Sequence, residues 1–271
     1  MDNRPIGFFD SGLGGLTCIP YLMKALPLER IIYFGDTART PYGSKAASTI
    51  TAFSNEITDF LVSNDVKMIV IACNTVTSTC LTELRDRHKE IPIIGIIQPA
   101  VDKVISSCKL ENNIGIIGTK VTIKNKTHKE SILALNQNLK IFATPCPTFV
   151  PLIEEGIIMH EIMDLSIKYY LDQFISYNKI DTLVLGCTHY PLIRKNIEKL
   201  YPGLVIIDPS EEIIISINRA LDENKLFATE PKYDNTFYAS DLSENFINMI
   251  NRIFENSEFK VAFKNFDLDV L

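Results

Sequence analysis

Short apolar runs rich in β-branched residues alternate along this chain with stretches whose apolar residues recur at helical spacing. Residues 5–10 read as a strand. Leu16, Ile19, Leu22, Met23 and Leu26 then follow the period of an amphipathic helix, which Pro27 stops. Residues 31–35 read as a second strand, and Ile50, Phe53, Ile57, Phe60 and Leu61 mark a second helix. Residues 68–72 are a continuous apolar run, the kind buried on both faces of a parallel sheet. A helix is expected over 75–89 and a strand over 93–97. Strands alternating with helices predict an α/β fold with mainly parallel sheets and helices on both faces.

The pattern then restarts. NIGIIG at 113–118 echoes the first strand, 140–144 the second, and TLVLG at 182–186 the third. The spacing from Asp10 to Asp36 equals that from Thr119 to Pro145. The closest parallel is IVIACNT (69–75) with LVLGCTH (183–189): a buried strand, a small residue, Cys, a short polar pair, then a helix. This repeat predicts two related three-layer α/β domains with the active site in the cleft between them. Beyond about residue 210 the chain shows a helix at 213–221, a strand at 235–239, a helix at 242–254 and a last strand or tail. That is too short for a third such domain. It is expected to return to the first half, giving a discontinuous first domain of 1–97 plus 210–271 and a second of 98–209.

Composition narrows the function. The net charge of −6 argues against a nucleic-acid partner, because phosphate backbones recruit basic surfaces. A small anionic substrate can still be held by backbone amides and helix N-termini. No apolar stretch reaches the ~18 residues needed to cross a membrane. The start MDNRPIGFFDSG lacks a basic region followed by a long apolar run, so a cytoplasmic protein without a secretory signal is expected. The six cysteines, Cys18, Cys73, Cys80, Cys108, Cys146 and Cys187, show neither a CxxC pair nor zinc-finger spacing, and are expected to be reduced.

Cys73 and Cys187 stand apart from the others. In open α/β sheets ligands bind beyond the carboxyl ends of the strands, where both cysteines lie. A thiol at a helix N-terminus has its thiolate stabilised, and a pKa lowered to about 7 would make a base poised near working pH. A lone Cys after an apolar strand is more often buried and inert. Two at matching places in two related halves can flank one cleft and exchange protons on opposite faces of a carbon. Asn74, Thr75, Thr188 and His189 follow the cysteines and can hold carboxylate and ammonium groups, although the threonines also read as plain helix caps. His189 can orient or protonate beside Cys187. Cys187-x-His189 also permits a metal reading, but no further ligands are suitably spaced.

Asp10 and Ser11, with Gly12, Gly14 and Gly15, follow the first strand, where glycines let backbone approach a ligand. An acid there can assist Cys73 or receive a substrate ammonium. Gly12-Leu13-Gly14 with Asp36 also resembles a dinucleotide fingerprint, although Thr17 replaces its third glycine. A nucleotide-binding module is therefore the alternative from a different class. Pro41-Tyr42-Gly43 is a turn at the same sheet edge, either lining the site or simply turning the chain.

FDSGLGGL (9–16), YFGDTARTPYG (33–43), ACNT (72–75), VPLIEEG (150–156) and GCTHYPL (186–192) resemble the motifs of bacterial glutamate racemases, in the expected order. The resemblance covers residues 8 to 192. It implies that Cys73 and Cys187 are the acid/base pair, that Asp10 supports Cys73 and that His189 supports Cys187. Glu154 would be a further carboxylate near the second cysteine, although the residues alone do not separate it from Glu155. Asp10, Ser11, Tyr42, Gly43, Asn74, Thr75, Thr188 and His189 would bind glutamate. The family needs neither pyridoxal phosphate nor metal, supplies D-glutamate for peptidoglycan, and is commonly homodimeric. A relative acting on aspartate or another amino acid is the sister reading.

Overall fold

The apolar runs become strands because a parallel sheet covered on both sides buries every side chain of such a run. The computed structural model describes residues 1–230, 234–253 and 259–266. Its first four strands, β1 (Ile6–Asp10), β2 (Ile31–Gly35), β3 (Met68–Ile71) and β4 (Ile93–Gly95), lie in the order β2-β1-β3-β4. The next four, β5 (Asn113–Gly118), β6 (Lys140–Pro145), β7 (Thr182–Gly186) and β8 (Val205–Ile207), lie in the order β6-β5-β7-β8. The two orders are the same, so the repeat in the sequence is a repeat in topology. All pairings are parallel: Ile6 sits between Ile31 and Met68, and Ile114 between Ile141 and Thr182. The chain returns at its end to the first sheet. There β9 (Asn235–Ala239) pairs with β2, and β10 (Phe259–Phe263) pairs with β9.

Helices cover the sheets: α1 (Ile19–Ala25), α2 (Ala47–Ser63), α3 (Asn74–Arg87), α4 (Ile97–Ser107), α5 (Lys120–Asn125), α6 (Thr127–Leu135), α7 (Phe149–Glu154), α8 (Glu161–Asn178), α9 (Arg194–Leu200), α10 (Pro209–Glu223) and α11 (Glu244–Ile253). One buried cluster runs from Phe8, Val70 and Leu22 through Ile213 to Leu183 and Phe149, so the two halves share an apolar core. Separate clusters fill the outer faces, around Ile57 and Ile71 in one half and Val104 and Ile116 in the other.

Three expectations are corrected. The helix read over 16–26 splits into a 3-10 turn at Gly14–Cys18 and a shorter α1, because Pro20 sits in the first turn of α1, where its fixed φ suits a helix start. The strand read over 93–97 ends at Gly95, and α4 begins at Ile97. The apolar run continues across that change because Ile97, Ala100 and Val101 on α4 are buried as well. Cys187 is not followed directly by an α-helix. A 3-10 turn, Tyr190–Ile193, with Pro191 in its first turn, precedes α9. Phe254, at the end of the helix read over 242–254, lies outside the described residues. Among the described residues no helix is long and apolar enough to cross a membrane.

Candidate active site

In the strand order 2-1-3-4 the crossovers diverge between the first and third strands, which opens a crevice at their carboxyl ends. Each half has such a point, and the two face each other. Cys73 caps the start of α3 directly after β3, and Cys187 follows β7. Both thiols line one cavity with Ser11, Tyr42, Gly43, Asn74, Thr75, Thr188 and His189. Its free volume is about 10 Å³, enough for roughly one water. Asp10 and Glu154 stand behind this wall. Pro41 also lines it, the first of the two readings of its turn, and so do Thr119 and Val150, which were not singled out from sequence. The repeat held the signal for Thr119, which occupies in the second half the place that Asp10-Ser11 holds in the first. A larger groove of about 870 Å³ between α3, α4, α6 and α10 contains none of the residues assigned above.

The first wall is built on Cys73. Its Sγ donates to Ser11 Oγ at 3.4 Å. Burial pushes the thiol up to about 12, and the charge of Asp10 adds to this, against the opposing Ser11 hydroxyl and Val76 amide. The expectation that the helix N-terminus would bring Cys73 near 7 is therefore corrected: in the closed site desolvation outweighs the helix dipole. Asp10 is fully buried, accepting from Gly15 N at 3.1 Å and from Thr188 Oγ1 at 3.1 and 3.3 Å on its two oxygens. Burial raises its carboxyl to about 6, against the pull of the His189 charge and the Thr188 hydroxyl. Asn74 presents an amide whose oxygen and nitrogen are both buried without a hydrogen-bond partner among the described residues. Such a group in a cavity wall is suited to a ligand. The hydroxyls of Thr75 and Thr119 meet at 3.0 Å, backed by Thr122 at 3.3 and 3.0 Å.

The second wall is a chain of three groups. Cys187 Sγ lies 3.8 Å from His189 Nδ1, and His189 Nε2 lies 2.6 Å from Glu154 Oε1. Glu154 closes α7 and faces inward, whereas Glu155 is exposed. Burial disfavours the His189 cation, yet the Cys187 sulfur and the Glu154 carboxylate outweigh it and raise the imidazole well above its ordinary value. His189 thus holds a proton beside Cys187 while Cys73 stays a thiol.

The glycine loop after β1 serves this chain of groups. A Cβ on Gly14 would come within 2.5 Å of His189 Nδ1, and one on Gly12 within 2.6 Å of Glu154 Oε1. The space a dinucleotide phosphate would need is filled by the imidazole and carboxylate of the other half. Asp36, which a dinucleotide site would turn to a ribose, is fully buried and accepts from Arg39 and Ser240. The dinucleotide reading is therefore set aside.

The family model described as Asp/Glu/Hydantoin racemase matches residues 18–214. This chain belongs to the Asp/Glu racemase family. A glutamate racemase of Sulfurihydrogenibium sp. is 43% identical over 84% of this chain and 90% of its own length. The crystal structure of glutamate racemase from Francisella tularensis, in complex with D-glutamate, superimposes with a TM-score of 0.89 at 38% identity, covering 100% of both chains. The glutamate racemase of Thermus thermophilus, in complex with β-chloro-D-alanine, gives 0.84 at 33% identity over 98% of this chain and 99% of that one. Aspartate racemase from Picrophilus torridus shares the fold at 18% identity and a TM-score of 0.57.

Proposed function

We propose that this chain interconverts L- and D-glutamate by a two-base proton transfer between Cys73 and Cys187, without pyridoxal phosphate or metal. The observation that carries the proposal is that the thiols come from equivalent strands of two repeated halves and face one closed cavity. Inversion at a tetrahedral carbon needs a proton to leave one face and another to arrive at the opposite face. Cys187, with His189 and Glu154 behind it, takes the α-proton of L-glutamate, and the Cys73 thiol protonates the other face. In the reverse direction Cys73 takes the proton of D-glutamate, with Asp10 as the nearby carboxylate that assists it. Asn74, Ser11, Thr75, Thr188, His189 and the Tyr42–Gly43 backbone hold the substrate's polar groups. In a cavity this small these contacts act at low dielectric, where electrostatic stabilisation of the developing carbanion is strongest. A space of about 10 Å³ does not admit glutamate, so the cavity widens to bind it. The relatives named glutamate racemase favour glutamate over aspartate. The product would supply D-glutamate for peptidoglycan in the cytoplasm, and the enzyme is proposed to work as a homodimer.

The test is racemisation of L-glutamate, L-aspartate and L-alanine followed by circular dichroism in deuterated water, without added cofactor. Early D-glutamate is expected to carry one deuterium at the α-carbon while recovered L-glutamate carries almost none. Activity is expected to survive dialysis against chelator and treatment with a carbonyl reagent. Equal labelling of substrate and product, or a Cys187→Ala variant racemising near the wild-type rate, would overturn the two-base proposal.

A further inference from the structure

Asp36 is a buried carboxylate that the proton relay does not use. Its Oδ1 accepts from Ser240 Oγ at 2.7 Å, and its Oδ2 accepts from Arg39 Nε at 2.8 Å and from the Tyr42 hydroxyl. Bonds to a charged acceptor are about twice as strong as neutral ones, and three on one buried carboxylate fix their donors tightly. Arg39 is held from its other side by Glu56 at 2.6 Å and by the Phe53 ring, 4.0 Å from its guanidinium. Burial and the Asp36 charge raise the Tyr42 hydroxyl well above its ordinary value, which keeps it a donor.

The same carboxylate reaches across the sheet to the end of the chain. Ser240 lies directly after β9, and its Oγ also accepts from Ala38 N at 2.9 Å. Asp241 N donates to Thr37 Oγ1 at 2.9 Å, and Ser240 N donates to Gly35 O at 3.1 Å. Residues 37, 38, 39 and 42 are thus tied to Asp36 or to the Ser240–Asp241 corner. The far end of this loop carries Pro41, Tyr42 and Gly43 into the cavity wall. Tyr42 gives its hydroxyl to Asp36, which leaves its ring and backbone for the cavity. Gly43 lies so close to Thr119 of the other half that a Cβ would collide with it.

We infer that Asp36 and Ser240 are positioning residues that set the substrate-holding loop, acting on glutamate binding and not on proton transfer. The inference rests on the racemase reading proposed above. A loosened loop weakens binding of both enantiomers by a common factor, so both KM values rise together. The equilibrium between enantiomers is unchanged, and so is the ratio of kcat values. A relay residue would instead lower kcat, and unequally in the two directions.

The experiment compares Ser240→Ala, Ser240→Thr and Asp36→Asn with the wild-type chain, measuring kcat and KM from both enantiomers alongside far-ultraviolet circular dichroism and melting temperature. Ser240 is not part of the cavity wall, so its truncation probes the network alone. Ser240→Ala is expected to raise both KM values about tenfold with kcat within about twofold, since two loop bonds are lost. Ser240→Thr keeps the hydroxyl and should restore KM. Asp36→Asn should raise KM further, and adding Ser240→Ala to it should cost less than the product of the two single effects, because both act through one network. If Asp36→Asn does not fold, the Ser240 pair decides. Unchanged KM in folded Ser240→Ala, a fall in kcat at unchanged KM, or no recovery in Ser240→Thr would overturn the inference. A wild-type chain inactive on glutamate would overturn the racemase reading and this inference with it, whereas an active wild type with unmoved KM values overturns the inference alone.

Discussion

At Cys73 two effects compete, and burial wins. The helix start and Ser11 favour a thiolate, while desolvation and Asp10 hold the group as a thiol with a pKa of about 12. Cys187 differs because His189 and Glu154 stand behind it at 3.8 and 2.6 Å along the chain of contacts. The two walls therefore have different acid/base support, and variants should show it. Asp10→Asn is expected to slow turnover by roughly 10²–10⁴-fold, more for the reaction begun from D-glutamate. His189→Asn should do so more from L-glutamate. Initial rates from each enantiomer check both, and near wild-type rates would demote these residues to structure. Burial raises Asp10 to about 6, and in the proposed mechanism it assists as the carboxylate, so kcat/KM from D-glutamate should fall as pH drops through about 6. That limb should be absent from the residual activity of Asp10→Asn.

The short elements decide how closely the halves meet. The 3-10 turn at Gly14–Cys18 brings backbone against the second half's His189 and Thr188, and Thr17 Oγ1 reaches Ser210 Oγ at 2.9 Å and Thr188 O at 3.3 Å. A methyl group at Gly14 has no room beside the imidazole. Gly14→Ala is therefore expected to displace His189 and cost about 10²-fold or more in turnover, the scale of a misplaced catalytic group. Gly7→Ala offers the contrast. Its Cβ would press on Val66 at 3.2 Å, remote from the cavity, so it should lower the melting temperature while leaving turnover per folded molecule near wild type. Equal losses of turnover in both variants would count against the steric account. Helical periodicity located α2 and α3, whose faces are long and regular. It missed α4, because α4 continues the apolar run of β4, and it lengthened α1, because Leu16 in the 3-10 turn shares the helical apolar spacing.

For the molecule as a whole, two buried groups pull acid stability in opposite directions. His128 on α6 is lowered by burial from 6.5 to about 4. The unfolded chain protonates it first, so stability is lost as pH falls from about 6.5 to about 4, by on the order of 3 kcal/mol. Asp10 is raised from 3.8 to about 6, so the folded chain binds that proton first and gains stability as pH falls from about 6 to 3.8. The wild-type profile should be flatter than either term alone. Urea midpoints between pH 7 and pH 4 should fall more steeply in Asp10→Asn and less steeply in His128→Leu. The opposite order would mean that the assigned burial effects are wrong.

Alternation of apolar runs with helical periods points to parallel α/β sheets, because helices on both faces of such a sheet bury these runs. The equal spacings and the ACNT and GCTH segments tell of two related halves, each with a cysteine at a strand end. These are local features, and local chemistry is enough to read them. The tertiary structure alone decided what depends on the second half's position. It turned Glu154 toward His189 and left Glu155 exposed, a choice between neighbours that only the register of α7 against the other elements can make. It gave Asp10 to Thr188 and Gly15, with Ser11 as the partner of Cys73. It filled the dinucleotide-like glycine loop with an imidazole and a carboxylate from a segment far along the chain. It also set the proton levels of both walls, because burial in a cavity closed from two sides is a property of neither half alone.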